Sequence, residues 1–360
     1  MITNLHIKNF KGFSDLSIKD TSRVTLIGGC NNVGKTSLLE ALLLFYGRDN
    51  PYTVSNLHAV RGIPSVEGTP SSLWAPLFLD YDLGSEIEIL VDTEKQEREK
   101  LLVRFHNTIR EQSIANNIVA SDMKQPFRTD GESALFGVLE MTYRAGEDVE
   151  GKTAHIVLRQ DSVKMYPDYQ VASFPKTWLM ISGARNHPED AKLFGMMDIV
   201  GKQNEITEFI KRTIEPRLVS LSAITLGDKT ILHAQLEGMR RKIPIAYLGD
   251  GTARLVSIIL AISTTQDGCI LMDEIENGIH HSVLPKIWRG IMAAAKQYNC
   301  QIFATTHSYE CLAAAVNGLD GELAEDFRYI RLERDGEELF STTYSHRDLA
   351  IAVEREWEVR

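Results

Sequence analysis

Residues 29–36, Gly-Cys-Asn-Asn-Val-Gly-Lys-Thr, have the types and spacing of a loop that binds phosphate. They fit the pattern G-x-x-x-x-G-K-[ST], in which glycines let the backbone curl so that its N–H groups surround the phosphates. Lys35 supplies charge at the terminal phosphates, and the Thr36 hydroxyl can bind Mg²⁺. A glycine turn beside a surface lysine is the alternative. The predicted nucleotide-binding residues are Gly29, Cys30, Asn31, Asn32, Val33, Gly34, Lys35, Thr36 and Ser37.

Polar residues with catalytic potential follow two apolar segments in the C-terminal half. Asp273 and Glu274 come directly after residues 269–272, and His307 follows residues 301–306. Asp273 can hold Mg²⁺, and Glu274 can polarise an attacking water as general base. Since ligands of parallel sheets bind beyond the carboxyl ends of the strands, these residues should converge on the phosphate loop. Ordinary buried strands with polar exits are the alternative.

A second glycine-rich turn lies at residues 247–255, Tyr-Leu-Gly-Asp-Gly-Thr-Ala-Arg-Leu, directly before the helix-like apolar run 255–262. A helix N-terminus carries partial positive charge and free N–H groups, so it can bind an anion. The residues predicted to contact phosphate are Gly249, Asp250, Gly251 and Thr252. A plain turn in which Thr252 caps the helix is the alternative.

The elements that must position these residues can be read from hydrophobic periodicity. Two strands are predicted in residues 2–28, and the second is the buried segment 24–29 that leads into the phosphate loop. Apolar residues at helical spacing predict a helix from Lys35 to Gly47. Strand, helix (282–298) and strand near the C-terminus form a βαβ unit, which predicts a parallel sheet covered by helices.

The middle of the chain differs in composition. Residues 49–131 are rich in Pro, Gly, Ser and charge and are predicted to be an insertion, and residues 132–181 are predicted to be a β-rich block. Strand patterns occur at 85–92, 101–106, 134–144, 153–166 and 177–185. We expect an α/β fold of the P-loop NTPase class, with a mixed sheet, helices on both faces and an antiparallel β subdomain.

Composition narrows the function classes. No apolar run reaches the roughly 18 residues of a membrane span, and the N-terminus alternates like a strand, so a cytoplasmic protein without membrane contact is expected. The net charge of −10 gives no overall attraction to nucleic acid. Basic residues at 211–217 and 240–242 are either a local DNA-binding patch or a solvated face. The four cysteines form no Cys-x-x-Cys pair, so neither a disulfide framework nor a zinc site is indicated.

The order of the motifs resembles that of ABC-type ATPases, and in detail that of the SMC, RecF and OLD branch. The resemblance covers about 1–47 and 174–310, and it rests on the opening segment 2–13, the phosphate loop, the Asp-Glu segment 273–281 and the histidine segment 304–308. It implies one ABC-type ATPase domain over 1–360, with Lys11 near the nucleotide. It also implies that Lys35, Glu274 and His307 are catalytic, with ATP as substrate and Mg²⁺ at Thr36 and Asp273.

The resemblance further implies a head-to-tail homodimer. In this family the second glycine turn of one chain caps the γ-phosphate that is bound by the other, so residues 249–252 would act in trans. The usual Leu-Ser-Gly-Gly-Gln signature is here Leu-Gly-Asp-Gly-Thr, which loses a hydroxyl and brings Asp250 near a phosphate. Related compact ATPases of bacterial defence systems carry similar turns, and in them Arg254 would face the partner. Gln160 and Gln170 are candidates for the Mg²⁺-contacting glutamine, and Arg185 for a further nucleotide contact.

The implied function is an ATP-hydrolysing switch, slow or partner-activated, that controls a separately encoded toxin or nuclease, in anti-phage defence or genome maintenance. A RecF-like DNA-repair ATPase and a scaffold that uses ATP only to hold a dimer together are the alternatives. No heptad array indicates the long arms of SMC proteins, and the residues after His307 are too few for an OLD-type nuclease domain. A GTPase is disfavoured because no Asn-Lys-x-Asp motif occurs.

Overall fold

The computed structural model describes residues 1–48, 53–54, 57–58, 61, 69–95, 97–106, 135–146, 151–159, 163–167, 177–180, 187–336 and 338–359. The chain divides into two compact units. One comprises Met1–Asp20, Asn32–Phe174 and Leu332–Thr342, and the other comprises Thr21–Asn31, Pro175–Arg331 and Thr343–Arg360.

The first unit is built on an antiparallel sheet. Its seven strands follow the order β2-β1-β4-β5-β6-β7-β8, and every neighbouring pair is antiparallel. Helix α1, Lys35–Tyr46, belongs to the same unit, and a one-turn helix α2 spans Pro70–Leu73. The strands are β1 Ile2–Phe10, β2 Phe13–Ile18, β4 Ile87–Thr93, β5 Arg98–His106, β6 Leu135–Ala145, β7 Lys152–Arg159 and β8 Val163–Pro167.

The second unit contains a parallel sheet core. β3 (Val24–Gly29), β14 (Gln301–Thr305), β13 (Cys269–Met272) and β9 (Thr177–Met180) are parallel neighbours in that order. They belong to a six-stranded sheet, β16-β15-β3-β14-β13-β9, whose other strands are β15 Phe327–Asp335 and β16 Glu338–Ser345. Every residue of β3, β13 and β14 is buried, as expected for parallel strands covered on both faces.

Helices and a small sheet complete the second unit. The three-stranded antiparallel sheet is formed by β10 Leu218–Leu226, β11 Lys229–Leu236 and β12 Ile243–Pro244. The helices are α3 His187–Ile199, α4 Gln203–Thr213, α5 Asp250–Thr264, α6 Leu284–Gln297, α7 Tyr309–Gly318, α8 Gly321–Glu325 and α9 His346–Glu354. No helix among the described residues is both long and apolar enough to cross a membrane.

The predicted fold class is confirmed, because a parallel sheet with helices and a separate antiparallel sheet are both present. Two strand predictions are corrected. Residues 2–28 contain three strands, because β2 buries Phe13, Leu16 and Ile18 at uneven spacing and lacks the strict alternation of a typical strand. Residues 153–166 form two strands, β7 and β8, which pair with each other antiparallel.

Close packing at Gly28 gives a test of this core. A Cβ built at Gly28 would lie 2.1 Å from Oη of Tyr329, a fully buried side chain whose hydroxyl donates to the carbonyl of Val359. We expect Gly28→Ala to lower the free energy of unfolding by about 1–3 kcal/mol through overpacking. Gly195→Ala is the control, since that helical glycine has open space around it, and the change should stabilise by roughly 0.5–1 kcal/mol. Urea unfolding of both variants measures the difference, and equal effects would contradict the packing argument.

Candidate functional site

The phosphate loop has a backbone conformation that curls around an anion. Gly29, Asn32 and Gly34 have φ angles of 133°, 63° and 108°. Gly34 combines this left-handed φ with close packing, because a Cβ there would lie 2.6 Å from Cε1 of Phe13. Gly34 is also the N-cap of α1 and supplies no side-chain hydrogen bond to the N-terminus of the helix. This arrangement is suited to phosphate.

The structure gives Lys11 an acidic partner inside the first unit. Its ammonium donates to Oε2 of Glu40 at 2.6 Å, and Glu40 is fully buried on α1. Arg61 donates to both oxygens of the same carboxylate at 2.7 Å, and its Nη2 lies 3.4 Å from Oγ of Ser37. Burial lowers the pKa of Lys11, and the charge of Glu40 opposes that shift. This ion cluster ties the turn after β1 to the helix that begins in the phosphate loop.

Asp273 lies where β13 ends and is fixed by the neighbouring strand. Its Oδ1 accepts a hydrogen bond of 2.6 Å from the hydroxyl of Thr305, the last residue of β14. The same hydroxyl accepts the backbone N–H of Glu274 at 2.8 Å, and the carbonyl of Thr305 accepts the N–H of Ile275. Thr305 is fully buried. Thr305 therefore fixes both the position of the Asp273 carboxylate and the direction of the backbone that follows it.

Glu274 and His307 come together beside this edge, as predicted. Glu274 has a φ of 46°, an unusual conformation for a non-glycine residue and one that concentrates at functional sites. Its Oε1 lies 3.9 Å from Nδ1 of His307, and both side chains are partly exposed, 40% and 51%. Because Ala304 pairs with Met272 and Thr305 pairs with Ile27, the residues that follow β13, β14 and β3 lie at one end of the sheet.

The second glycine turn lies at the surface of the second unit. Gly249 has a φ of 93° and is the N-cap of α5, again without a side-chain cap. Gly249 and Asp250 are exposed, and Tyr247 beside them is 77% exposed. The alternative in which Thr252 caps the helix is wrong, because the helix begins two residues earlier, at Asp250. The first turn of α5 thus presents backbone N–H groups at an exposed position.

Other predicted residues are less well placed. Arg254 is buried in α5, with 6% of its surface exposed, so the expectation that it faces a partner subunit is contradicted. The neighbours Ala253, Leu255 and Val256 are buried as well, which shows that this part of the helix belongs to the core. Gln160, Gln170 and Arg185 lie outside the described residues.

Sequence reasoning missed the residues that hold the site together. Thr305 and Glu276 were not singled out, although both are polar residues beside predicted site residues in the segments 301–307 and 269–276. The available signals were a hydroxyl at the end of an otherwise apolar strand and a further acidic residue, Glu276, after Asp273 and Glu274. Neither pattern specifies a partner without the strand pairing. Glu40 was missed because its position on α1 reads as the solvent face of an amphipathic helix.

The donor types fit a magnesium ion. Thr36 offers a hydroxyl and Asp273 a carboxylate, which are the hard oxygen ligands that Mg²⁺ prefers. Within the described residues there is no group of three or more His, Cys, Asp and Glu side chains that could hold a metal by itself. Mg²⁺ usually binds through one or two protein groups together with substrate phosphates, so each of these two oxygen donors is of a type that fits such a site.

Two protein-family models match the chain. Residues 1–168 match "AAA ATPase domain", and residues 183–313 match "AAA domain, putative AbiEii toxin, Type IV TA system". The matches include the phosphate loop, the second glycine turn, Asp273, Glu274 and His307. These two matches, each over less than half of the chain, are similarities to ATPase and AAA domains, and they agree with the P-loop ATPase class that the motifs predict.

Individual relatives extend over different parts of the chain. An "ATP/GTP phosphatase" of Helicobacter pylori is 22% identical, and the similarity covers 99% of both chains. An uncharacterised protein of Methanocaldococcus jannaschii is 31% identical over 34% of this chain and 54% of its own length. Among solved structures, an SMC head bound to the C-terminal winged-helix domain of ScpA is 13% identical with a TM-score of 0.49, covering 96% and 97% of the two chains. The SMC head of Thermotoga maritima is 12% identical with a TM-score of 0.44, covering 95% and 98%.

The double hydrogen bond of Thr305 gives a second test. Thr305→Val keeps the side-chain volume but removes the hydroxyl that pairs with the Glu274 N–H and with an oxygen of Asp273. We therefore expect the free energy of unfolding to fall by about 1–3 kcal/mol. Thr265→Val is the control, because the Thr265 hydroxyl only donates to the carbonyl of Ala261 within α5. Thr265→Val should lower the free energy of unfolding by about 1 kcal/mol or less. If chemical unfolding shows the same loss for both variants, Thr305 has no special part in fixing this edge.

Proposed function

We propose that the chain is an ATP-hydrolysing switch that works as a head-to-tail dimer. Each ATP lies between the phosphate loop of one protomer and the second glycine turn of its partner. ATP binding closes the dimer and hydrolysis opens it, and the change controls a partner effector or a nucleic-acid complex. The observation that carries this proposal is the exposed, uncapped N-terminus of α5 at Gly249, because a surface helix end of this kind can bind an anion that belongs to another molecule.

The residues of the site have distinct parts in the proposed reaction. The N–H groups of residues 29–37 and the ammonium of Lys35 bind the phosphates, and Thr36 and Asp273 hold Mg²⁺. When bound, Mg²⁺ neutralises charge that develops on the phosphate oxygens. Glu274 accepts a proton from the attacking water, and His307 contacts the terminal phosphate. The name "ATP/GTP phosphatase" of the Helicobacter pylori relative supports nucleoside triphosphate hydrolysis.

A role beside a toxin or nuclease is the cellular part of the proposal. One matching family description names a toxin of a toxin–antitoxin system, which supports a place in bacterial defence. The Asp250 carboxylate at the first turn of α5 adds negative charge where the partner's phosphate would lie. Because like charges repel, we infer that basal hydrolysis is slow and that the effector or another ligand accelerates it.

The mass of the protein in solution tests the dimer directly. In Glu274→Gln the general base is removed and ATP should persist, so we expect Mg-ATP to convert monomer to dimer, or to compact an existing dimer. Light scattering combined with small-angle X-ray scattering measures mass and shape. Indifference to ATP, with nucleotide still bound, would rule out the trans arrangement.

A matched pair of glycine variants gives the control for this experiment. Gly249→Ala, added to Glu274→Gln, strains the φ of 93° without a steric clash, since open space surrounds the position. It should abolish ATP-dependent dimerisation and leave ATP binding intact. Gly227→Ala strains a similar left-handed φ of 62° in the exposed turn between β10 and β11 and should leave dimerisation unchanged. Each change costs about 1–3 kcal/mol of backbone strain.

DNA binding is a second candidate function, and the exposed basic residues Arg240, Arg241 and Lys242 favour it. The other basic cluster is neutralised in part, because Lys211 pairs with Glu237 and Arg217 pairs with Glu215. The double charge reversal of Arg240 and Arg241 to Glu should weaken ATP-dependent DNA binding at least about tenfold and flatten its salt dependence. The same reversal at Lys211 and Arg217 is the control. Fluorescence anisotropy at several salt concentrations measures the affinity for DNA and its salt dependence. If the protein binds no DNA, or if none of the four charge reversals weakens binding, the surface at residues 240–242 is not a DNA-binding site.

A further inference from the structure

Glu276 makes a double contact with His307. Its Oε1 accepts the backbone N–H of His307 at 3.0 Å and lies 3.3 Å from Nδ1 of the same residue. Glu276 is 9% exposed, whereas the His307 side chain is 51% exposed. A buried carboxylate on the segment after β13 therefore holds both the main chain and the ring of a residue that follows β14.

Glu276, and not Glu274, is the close partner of the ring. Oε1 of Glu274 lies 3.9 Å from Nδ1, beyond hydrogen-bond distance, and its Oε2 accepts a weak bond from the side chain of Asn277 at 3.5 Å. Oε1 of Glu276 is at ion-pair distance from Nδ1, and a carboxylate oxygen is a hydrogen-bond acceptor, so this contact favours a proton on Nδ1. Fixing the proton on Nδ1 determines the orientation and the tautomer of the imidazole.

The burial of Glu276 is costly for the fold. Its second oxygen, Oε2, is inaccessible to solvent and has no hydrogen-bond partner among the described residues. A buried carboxylate that is only partly hydrogen-bonded lowers stability, and an apolar or amide side chain there would avoid the cost. Glu276 and His307 both line one open cleft of about 450 Å³, together with Glu274, Asn277 and Gly278. The charge is thus kept at the edge of the proposed catalytic site.

We propose that Glu276 is a positioning residue, which holds His307 in the orientation and protonation state that phosphate contact requires. It also links the segment 276–278 to His307, so a displacement of that segment by a partner subunit moves the histidine. The inference rests on the proposed ATPase function. It adds a residue that touches neither nucleotide nor metal and acts through His307 alone.

Steady-state ATP hydrolysis in a double-mutant cycle tests the proposal. Glu276→Gln should lower kcat about tenfold and leave KM within about twofold, because removing a supporting partner misplaces a group that acts in the transition state. In a His307→Ala background the same change should alter kcat by less than about twofold, since the residue has nothing left to position. Glu310→Gln is the matched control. It removes another carboxylate from the same cleft, one that accepts a hydrogen bond from the Ser308 hydroxyl, and kcat should not change.

Three results would overturn the proposal. The first is that Glu276→Gln lowers kcat by the same factor in the wild-type and His307→Ala backgrounds. The second is that Glu276→Gln changes KM alone, and the third is that Glu310→Gln lowers kcat as much as Glu276→Gln does. A wild-type protein that hydrolyses no ATP with any partner or DNA would instead overturn the proposed function. Imidazole nitrogen NMR of the wild type then still tests the positioning. The His307 signals, assigned by their absence in His307→Ala, should show a proton on Nδ1, and a proton on Nε2 alone contradicts the contact with Glu276.

Discussion

The functional site depends on the register of three parallel strands. β3, β14 and β13 are paired so that Ile27 lies beside Thr305, and Ala304 lies beside Met272. The segments that follow these strands therefore begin at the same end of the sheet, with the phosphate loop after β3, Asp273 after β13 and His307 two residues after β14. Side chains alternate between the faces of a sheet, so a slip of one residue in β13 would exchange Asp273 with a core position. The side-chain hydrogen bonds and ion pairs described above then fix the orientation of groups whose positions follow from this register.

Buried polar groups supply that refinement. Thr305 orients Asp273, Glu276 holds His307, and Glu40 joins Lys11 to the helix of the phosphate loop. Each of these three residues is at least about nine-tenths buried. Hydrogen bonds of buried groups are stronger than exposed ones because water does not compete, and they are costly when incomplete. Of these three residues, Glu276 is the one with incomplete bonding, because its Oε2 has no hydrogen-bond partner among the described residues.

Much of the fold and half of the site could be predicted because the signals are local. The phosphate loop, α1, β13, α6 and β14 each follow from spacing within a short segment, and the order of the motifs underlies the resemblance to ABC-type ATPases. The contacts of Lys11, Asp273 and His307 could not be predicted, because each joins residues that are distant in sequence and depends on which strands pair. Arg254 shows the same limit. Its neighbourhood resembles a partner-facing turn, but α5 begins at Asp250, and this start places residues 253–256 in the core.

The position of β3 within its sheet has a consequence for biosynthesis. This strand, residues 24–29, is synthesised well before its two neighbours, β14 and β15, which end at residues 305 and 335. The strand cannot be enclosed on both sides until β15 has been translated. Contacts of such long range form slowly, and the apolar strand is exposed to chaperones and proteases until they do. A ribosome that stalls before β15 therefore releases a chain that carries an intact phosphate loop sequence on an unfinished sheet.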